Sequence, residues 1–257
     1  MTRKFNDKVA AIIAFVFVII MNWLANALPI GGQTTAEVSA KYPSLFTPAG
    51  FTFSIWGVIY LGLLIYVVYQ ALPGQKENET LSKINWLFII NCVANGTWIL
   101  AWQYDYLVIS LLIMIVILVS LIRIYRKISV SNSYSPSFKY FVSVPFSIYL
   151  GWITVATIAN ISVIQTAFGL DNLGLEASEW TLLKLSIAGA IGAIMALRFS
   201  DIPFIIVIAW ASFGIASKQI ETPLVAGGAR TLLGISLLLA SFQVFKKYQN
   251  SNSHIRD

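Results

Sequence analysis

The chain has almost no histidine or cysteine. Its single histidine, His254, lies in a polar C-terminal stretch, and Cys92 is its single cysteine. An internal disulfide needs two cysteines, and a metal site built from cysteine or histidine needs several such ligands close together. Buried pairs of carboxylates, which acid–base or metal-assisted catalysis would use, are also missing from the apolar segments. We therefore expect no metal site, no required cofactor and no catalytic residues, and the chain is predicted not to be an enzyme.

Charged side chains are scarce as well. They make up 11% of the residues, whereas 58% are hydrophobic and the mean hydropathy is +0.77. Soluble domains carry about 25% charged residues. The apolar runs are unbroken, whereas strands of a membrane β-barrel alternate apolar and polar residues over about ten positions. The sequence therefore predicts an all-α fold, a polytopic transmembrane helical bundle in a lipid bilayer.

The sequence contains eight apolar runs, whose lengths are close to the about 20 residues that a helix needs to cross a bilayer core. The segment 218–230 is crowded with charge, so seven or nine spans are the alternatives. A basic start before the first run also fits a cleaved signal peptide, but its length and polar residues favour a retained span. The predicted spans are 9–28, 48–71, 84–103, 107–122, 141–165, 180–197, 202–218 and 224–245.

Basic residues alternate along the chain, which predicts a topology. Most Lys and Arg residues lie at the N-terminus, in the second, fourth and sixth loops, and after the last span. The positive-inside rule then places both termini in the cytoplasm, with the long first loop and the acidic fifth loop outside. We expect an integral protein of a bacterial inner membrane. The net charge of +6 is thereby explained without a nucleic-acid partner.

Three of the predicted spans carry aromatic and amide side chains at helical spacing, so that each set shares one helix face. Such stripes commonly serve helix packing, and Asn commonly joins helices by hydrogen bonds. The alternative is a pocket that stacks a planar ligand and offers it a few polar groups. Recurrence on three helices favours the pocket. Its candidate ligand-binding residues are Phe53, Trp56, Tyr60, Asn95, Trp98, Trp102, Tyr149, Trp152, Ala156 and Asn160, with Asn91 on the same face as Asn95.

The same stretches resemble the TspO/MBR family, the tryptophan-rich sensory proteins and translocator proteins, also called peripheral benzodiazepine receptors. The family's second helix carries W-x-x-x-Y, and its third carries N-x-x-W. Its fifth carries a Trp with a small residue four positions later and an Asn eight positions later. The resemblance covers about residues 9–165. The matching positions are Trp56 and Tyr60, then Asn95 and Trp98, then Trp152, Ala156 and Asn160.

The resemblance implies a five-helix membrane core over residues 1–165 that binds a planar hydrophobic ligand, such as the tetrapyrroles protoporphyrin and haem. The protein would then be a binding or sensory protein. Family members usually stop after five helices, so 166–248 becomes an additional three-helix membrane segment and 249–257 a polar cytoplasmic tail. The sequence departs from two family motifs. A single Pro48 replaces the double proline before the second helix, and Phe146 follows Pro145 where the family has Tyr.

A transporter or permease for a small hydrophobic or amphipathic solute is the alternative function. Acidic residues are missing from the span centres, and no pair of inverted repeats is evident, both of which weaken that alternative. The additional helices contain a row of small residues, Ala188, Gly192 and Ala196. Such rows allow close helix packing. We expect this one to pack against the five-helix core, with a homodimer contact as the alternative.

Overall fold

The computed structural model describes residues 5–28, 30–131, 135–170 and 174–253, and leaves out the side chains of Phe5 and of 251–253. Within these ranges all regular structure is helical, which confirms the all-α fold class. His254 and the rest of the predicted tail from 254 onward lie outside the described residues. The α-helices are α1 (Phe5–Ala27), α2 (Thr35–Lys41), α3 (Ile55–Ala71), α4 (Glu79–Gln103), α5 (Leu107–Ser129), α6 (Pro136–Phe138), α7 (Val144–Ala167), α8 (Ala177–Phe199), α9 (Ile202–Lys218) and α10 (Pro223–Ser253).

Eight apolar helices occur where the eight spans were predicted. By length and composition, seven of them within the described ranges can cross a membrane. The eighth, α9, is apolar but has 17 residues, which gives about 25 Å at 1.5 Å per residue. The seven are Asn6–Ala27, Gly50–Ala71, Glu79–Gln103, Leu107–Ser129, Pro136–Ala167, Ala177–Phe199 and Pro223–Asn250.

Polar side chains fix where several of these helices begin. The Asn78 side chain accepts a hydrogen bond from the Leu81 N–H at the start of α4, and Asp201 accepts from the Phe204 N–H at the start of α9. Each satisfies one backbone donor that has no partner within its own helix. Between helices, Asp105 and Ser200 adopt left-handed backbone conformations with φ of 58° and 51°. The turns after α4 and α8 are therefore tight.

One compact unit contains residues up to Pro43 together with Ser54–Ile153. Two glycines allow close helix packing in it. A Cβ at Gly96 of α4 would lie 2.4 Å from the Phe17 ring of α1, and one at Gly62 of α3 would lie 3.1 Å from the Pro145 ring. A turn of π-helix, Lys139–Ser143, leads into α7 just before Pro145. Proline lacks the N–H that would bond to residue 141, and such π-turns accommodate this.

A second compact unit contains Ser44–Phe53 and the chain from Thr154 onward. In it α8, α9 and α10 pack against one another. A Cβ at Gly192 would lie 2.8 Å from Ile205 of α9, and one at Gly189 the same distance from Leu232 of α10. Gly189 and Gly192 of α8 therefore allow close packing among the last three helices, and the expected packing of this row against the first five helices stays a prediction. Helix α7 is continuous, but its residues group with the first unit up to Ile153 and with the second from Thr154; the predicted domain boundary near 165 stays a prediction.

Candidate functional site

An aromatic cluster of the first unit, which contains three of the predicted ring positions of α3 and α7 around Trp56, centres on that residue. Its ring stacks on Tyr60, one turn further along α3, with centroids 5.3 Å apart and planes at 18°. It meets Tyr149 and Trp152 of α7 edge-on, at 6.0 and 6.3 Å. Edge-to-face and offset-stacked rings at such distances attract each other beyond the effect of burial. We call Trp56, Tyr60, Tyr149 and Trp152 the Trp56 cluster.

A chain of hydrogen bonds runs from α1 to this cluster. The Asn22 Nδ2 donates to Asn95 Oδ1 at 3.1 Å, and Asn95 Nδ2 donates to the Tyr149 hydroxyl at 2.7 Å. Asn95 and Tyr149 are 2% and 1% exposed. In an apolar surrounding a buried amide is costly unless it is hydrogen-bonded. The three side chains therefore tie α1, α4 and α7 together beside the aromatic rings.

Two further buried hydrogen-bond donors near these residues, on Tyr60 and Trp98, have no acceptor among the described residues. The Tyr60 hydroxyl is buried beside the amides of Asn95 and Asn22, yet forms no hydrogen bond of good geometry to any residue that the structure describes. The indole N–H of Trp98, on α4 one turn after Asn95, is likewise buried without a partner among the described residues. Tyrosine O–H and tryptophan N–H groups usually find a partner when buried. These groups can donate to a ligand oxygen or nitrogen.

Trp98 belongs to a second aromatic pair on α4. It stacks on Trp102 with centroids 5.3 Å apart, and both rings are at most 9% exposed. The Trp102 indole N–H donates to the backbone oxygen of Thr35, in the segment that follows α1. This segment, residues 30–42, is therefore bound directly to one of the candidate rings.

Asp105 holds the same segment from the turn after α4. Its carboxylate accepts hydrogen bonds from Lys41 at 2.7 Å, from Gln33 at 3.3 Å and from Tyr42 at 3.4 Å. Burial raises the pKa of the carboxyl group, but these hydrogen bonds and the attraction of the Lys41 ammonium outweigh it. The pKa of Asp105 therefore lies below its ordinary value, and the carboxylate stays charged at neutral pH.

A comparison with protein families decides which family this bundle represents. The family model described as TSPO-like protein matches residues 8–242. The chain belongs to the TSPO-like protein family. No curated protein and no solved structure gives a significant match. The family match reaches beyond residues 9–165, which the three motifs cover, so the last three helices lie within the pattern of the family.

The structure of this TSPO-like protein brings together about half of the predicted site residues. Trp56, Tyr60, Tyr149 and Trp152 form the cluster, and Asn95 is bonded to it. Asn91 points elsewhere on α4, because its Nδ2 donates to Ile117 O and Ser120 Oγ of α5. Trp98 and Trp102 form their own pair. The three residues that belong to the second unit are Phe53, Ala156 and Asn160.

Asn22 joins the candidate site of this TSPO-like protein through Asn95, although the sequence motifs did not single it out. It lies in α1 and bonds to Asn95, although the motifs drew attention only to α3, α4 and α7. The available signal was an amide within a long apolar run, since polar side chains at membrane depth commonly face the bundle interior. Among the described residues no group of three His, Cys, Asp or Glu side chains is close enough to hold a metal ion.

Proposed function

We propose that this TSPO-like protein is an integral membrane binding or sensory protein whose ligand is a planar hydrophobic molecule of the tetrapyrrole type, and that it is not an enzyme. The observation that carries the proposal is the Trp56 cluster with its attached amides. Large aromatic rings and a few convergent polar groups are what small-molecule sites commonly combine. The match to the family over residues 8–242 supports the same proposal.

The polar groups of the site favour a particular ligand chemistry. Tyr60, Trp98 and Tyr149 carry O–H or N–H donors, whereas the Asn95 oxygen already accepts a bond from Asn22. No charged side chain takes part in the cluster or in its amide chain. The proposed ligand therefore presents hydrogen-bond acceptors, such as the carboxylates of a porphyrin, to neutral donors.

The ring geometry limits how such a ligand binds. Trp56 and Tyr60 are 5.3 Å apart, and so are Trp98 and Trp102. A planar ligand inserted between two rings would need about 7 Å, twice the about 3.5 Å of van der Waals contact. Neither pair therefore sandwiches a ligand as it stands. In our proposal the porphyrin either contacts the outer rim of the cluster or displaces one ring on binding.

Porphyrin titration with a matched pair of double variants tests this function. Trp56→Ala with Trp152→Ala removes two rings of the cluster, whereas Trp23→Ala with Trp86→Ala removes two that are 61% and 68% exposed. Each variant retains six of the eight tryptophans. We expect saturable quenching of tryptophan fluorescence by protoporphyrin in wild type and in the Trp23/Trp86 variant. The Trp56/Trp152 variant should bind at least tenfold more weakly, since about 1.4 kcal/mol suffices for that.

Equal affinity in the two variants would remove the cluster from the proposed site. The absence of saturable binding to wild-type protein would reject porphyrin as the ligand. Transport of a small hydrophobic solute is the competing outcome, and uptake into sealed proteoliposomes separates it from binding alone. Time-dependent accumulation inside the vesicles would favour a transporter, whereas rapid binding without accumulation agrees with our proposal.

We further propose a bacterial inner membrane as the location, with both termini in the cytoplasm. The support is the alternation of basic residues along the chain. Arg126 and Lys127 lie in the last turn of α5, Arg198 in the last turn of α8, and Lys247 near the end of α10. A homodimer is compatible with this proposal, and cross-linking in native membranes would detect it.

A further inference from the structure

In the second unit, helix α9 holds the segment Ser44–Phe53 by two hydrogen bonds that involve the segment's backbone. The Ala49 N–H donates to the Gly214 carbonyl oxygen at 3.0 Å. The Trp210 indole N–H donates to the Thr52 carbonyl oxygen at 2.9 Å. Both α9 residues lie one turn apart on the same helix face. A segment without regular α-helix is thus fixed at two points.

The contact at Gly214 is close enough to require glycine. A Cβ added there would lie 2.0 Å from Thr52 Oγ1 and 2.9 Å from both Cβ and Cγ2 of Thr52. Thr52 itself has no exposed surface, so its side chain has little room to move away. By contrast, a Cβ added at Gly227 or Gly234 of α10 would meet nothing within 4 Å. A side chain at position 214 would therefore disturb Thr52, whereas positions 227 and 234 have room for one.

The Phe51 ring strengthens the same attachment. It packs against Trp210 and Phe213 of α9, with ring centroids 5.6 Å away in both cases. The Thr52 hydroxyl, in turn, has no hydrogen-bond partner in the part of the chain that the structure describes. Thr52 is therefore held by shape and by its backbone oxygen, not by its hydroxyl group.

This attachment lies directly before the helix that carries the candidate site. Residues Gly50–Ser54 form a 3₁₀ turn that continues without a break into α3, and Gly50–Ala71 makes one membrane span. Trp56 follows Thr52 by four residues along this span. The backbone of this continuous helical stretch is therefore the route by which a shift of Thr52 would reach the first turn of α3.

We propose that Gly214 is a positioning residue for ligand binding, because it allows α9 to fix the start of the helix that bears Trp56. The C-terminal helices then influence the affinity for the ligand through this attachment. This inference rests on the proposed function for its affinity readout. Its structural content, the restraint of residues 54–60 by α9, can be measured without any ligand.

The test compares Gly214→Ala with Gly234→Ala, which adds the same methyl group to the same unit at an open position. The readouts are protoporphyrin affinity, thermal midpoint in detergent, and amide hydrogen exchange of peptides covering residues 54–60. We expect Gly214→Ala to bind protoporphyrin about tenfold more weakly and to exchange faster in these peptides, because an overpacked contact forces a backbone shift. Gly234→Ala should match wild type in both.

A compensating substitution separates positioning from general damage. Three atoms of Thr52 would crowd the new methyl group, namely Oγ1, Cγ2 and Cβ. Thr52→Ala removes the first two of them. We expect Thr52→Ala in the Gly214→Ala background to restore most of the affinity and of the exchange protection. Wild-type affinity and exchange in Gly214→Ala, or a loss that Thr52→Ala does not reduce, would overturn the inference.

The hydrogen-exchange readout also distinguishes this inference from the proposed function. If wild-type protein does not bind protoporphyrin, the proposed ligand is wrong, whereas faster exchange in Gly214→Ala alone would still support the restraint by α9. If wild type binds and Gly214→Ala leaves exchange at 54–60 unchanged, the proposed function stands and the positioning role of Gly214 fails.

Discussion

At the scale of single residues, the amide of Asn95 organises the polar part of the candidate site. It accepts from Asn22 and donates to Tyr149, so both ends of one buried side chain are used. A buried donor that loses its acceptor costs more free energy than the hydrogen bond itself contributes. The consequences of removing either partner are therefore measurable.

Tyr149→Phe should destabilise the protein by about 1–2 kcal/mol, because it leaves the Asn95 N–H without its acceptor. The ring contact with Trp56 is retained in this variant, so the effect reports the hydroxyl group alone. The matched control is Tyr106→Phe, whose ring is 60% exposed. Thermal unfolding in the same detergent measures both, and equal midpoints would show that the 2.7 Å hydrogen bond contributes nothing to stability.

Asp105→Asn should lower the free energy of unfolding at neutral pH but not in acid. Because the pKa of Asp105 is lowered in the folded state, the carboxylate stabilises the fold above the unfolded pKa of about 3.9, and this is lost as pH falls through the lower folded pKa. The expected loss is at most about 1 kcal/mol, since the Lys41 side chain is 47% exposed and solvent screens the ion pair. Asparagine tolerates the left-handed backbone at this turn.

Unfolding midpoints of wild type and Asp105→Asn, measured at pH values from about 7 down to about 3, check this prediction. The two curves should converge as the wild-type carboxyl group becomes protonated. Lys41→Met is a control that removes the positively charged partner of the ion pair. Its unfolding midpoints should likewise converge with those of wild type in acid. A constant difference across this range would mean that the ionised carboxylate is not the stabilising group.

Helical spacing correctly predicted that some candidate residues share a face of one regular helix. Trp56 and Tyr60 share a face of α3, and Tyr149 and Trp152 share a face of α7, because the period of 3.6 residues holds there. The extrapolation to Phe53 failed because Phe53 lies in a 3₁₀ turn, Gly50–Ser54, in which the period is three residues. Positions in that turn therefore cannot be assigned to a face of α3 from spacing alone.

At the scale of elements, close helix contacts in this bundle depend on individual glycines. Gly96→Ala should destabilise the first unit by about 1–3 kcal/mol, the usual cost of overpacking. The added methyl group would meet the Phe17 ring of α1 at 2.4 Å. The same crossing brings Asn22 to Asn95, so the variant should also weaken ligand binding if the proposed function holds.

Gly57→Ala is the control for that prediction, because a Cβ at Gly57 meets nothing within 4 Å. Alanine favours helix over glycine by about 1 kcal/mol, so this control should be neutral or slightly stabilising. Thermal midpoints of both variants in one detergent give the comparison. A Gly96→Ala midpoint equal to that of the control would mean that α1 and α4 separate there without cost.

Hydropathy predicted the existence of the eight apolar helices but not all of their surroundings. Helix α2 lies within the stretch predicted as the long first loop, although Thr34 and Glu37 have the T-x-x-E spacing of a capping box, which the structure contains. The π-turn before α7 has no hydropathic signature, since it depends on Pro145 and on the packing around it. Local caps are readable from sequence, whereas distortions set by packing are not.

At the scale of the whole molecule, the grouping of distant segments was beyond sequence reasoning. The segment Ser44–Phe53 joins the unit of the last three helices through Gly214 and Trp210, more than 150 residues away in sequence. Nothing in the composition of either stretch predicts which of many apolar helices it contacts. Such pairings depend on side-chain shape in three dimensions.

Whether the short helix α9 crosses the membrane decides whether the number of spans is even or odd. That number in turn decides on which sides the ends of the chain lie. Six long apolar helices separate Glu77 from Tyr248, namely α4, α5, α7, α8, α9 and α10. If all six cross, both residues lie on the same side. We expect α9 to cross despite its 17 residues, because Lys247 near the end of α10 donates to Ser200 O just before α9 begins. Helix α9 thus runs back along most of α10.

Single cysteines in a Cys92→Ala background test this topology. We expect Glu77→Cys and Tyr248→Cys to react with a membrane-impermeant maleimide in inverted vesicles, and Ala36→Cys to react in right-side-out vesicles. All three positions are exposed in the structure. Labelling of Tyr248→Cys on the side opposite to Glu77→Cys would mean that α9 does not cross the membrane. Labelling of Ala36→Cys together with Glu77→Cys would instead contradict the crossing of α3.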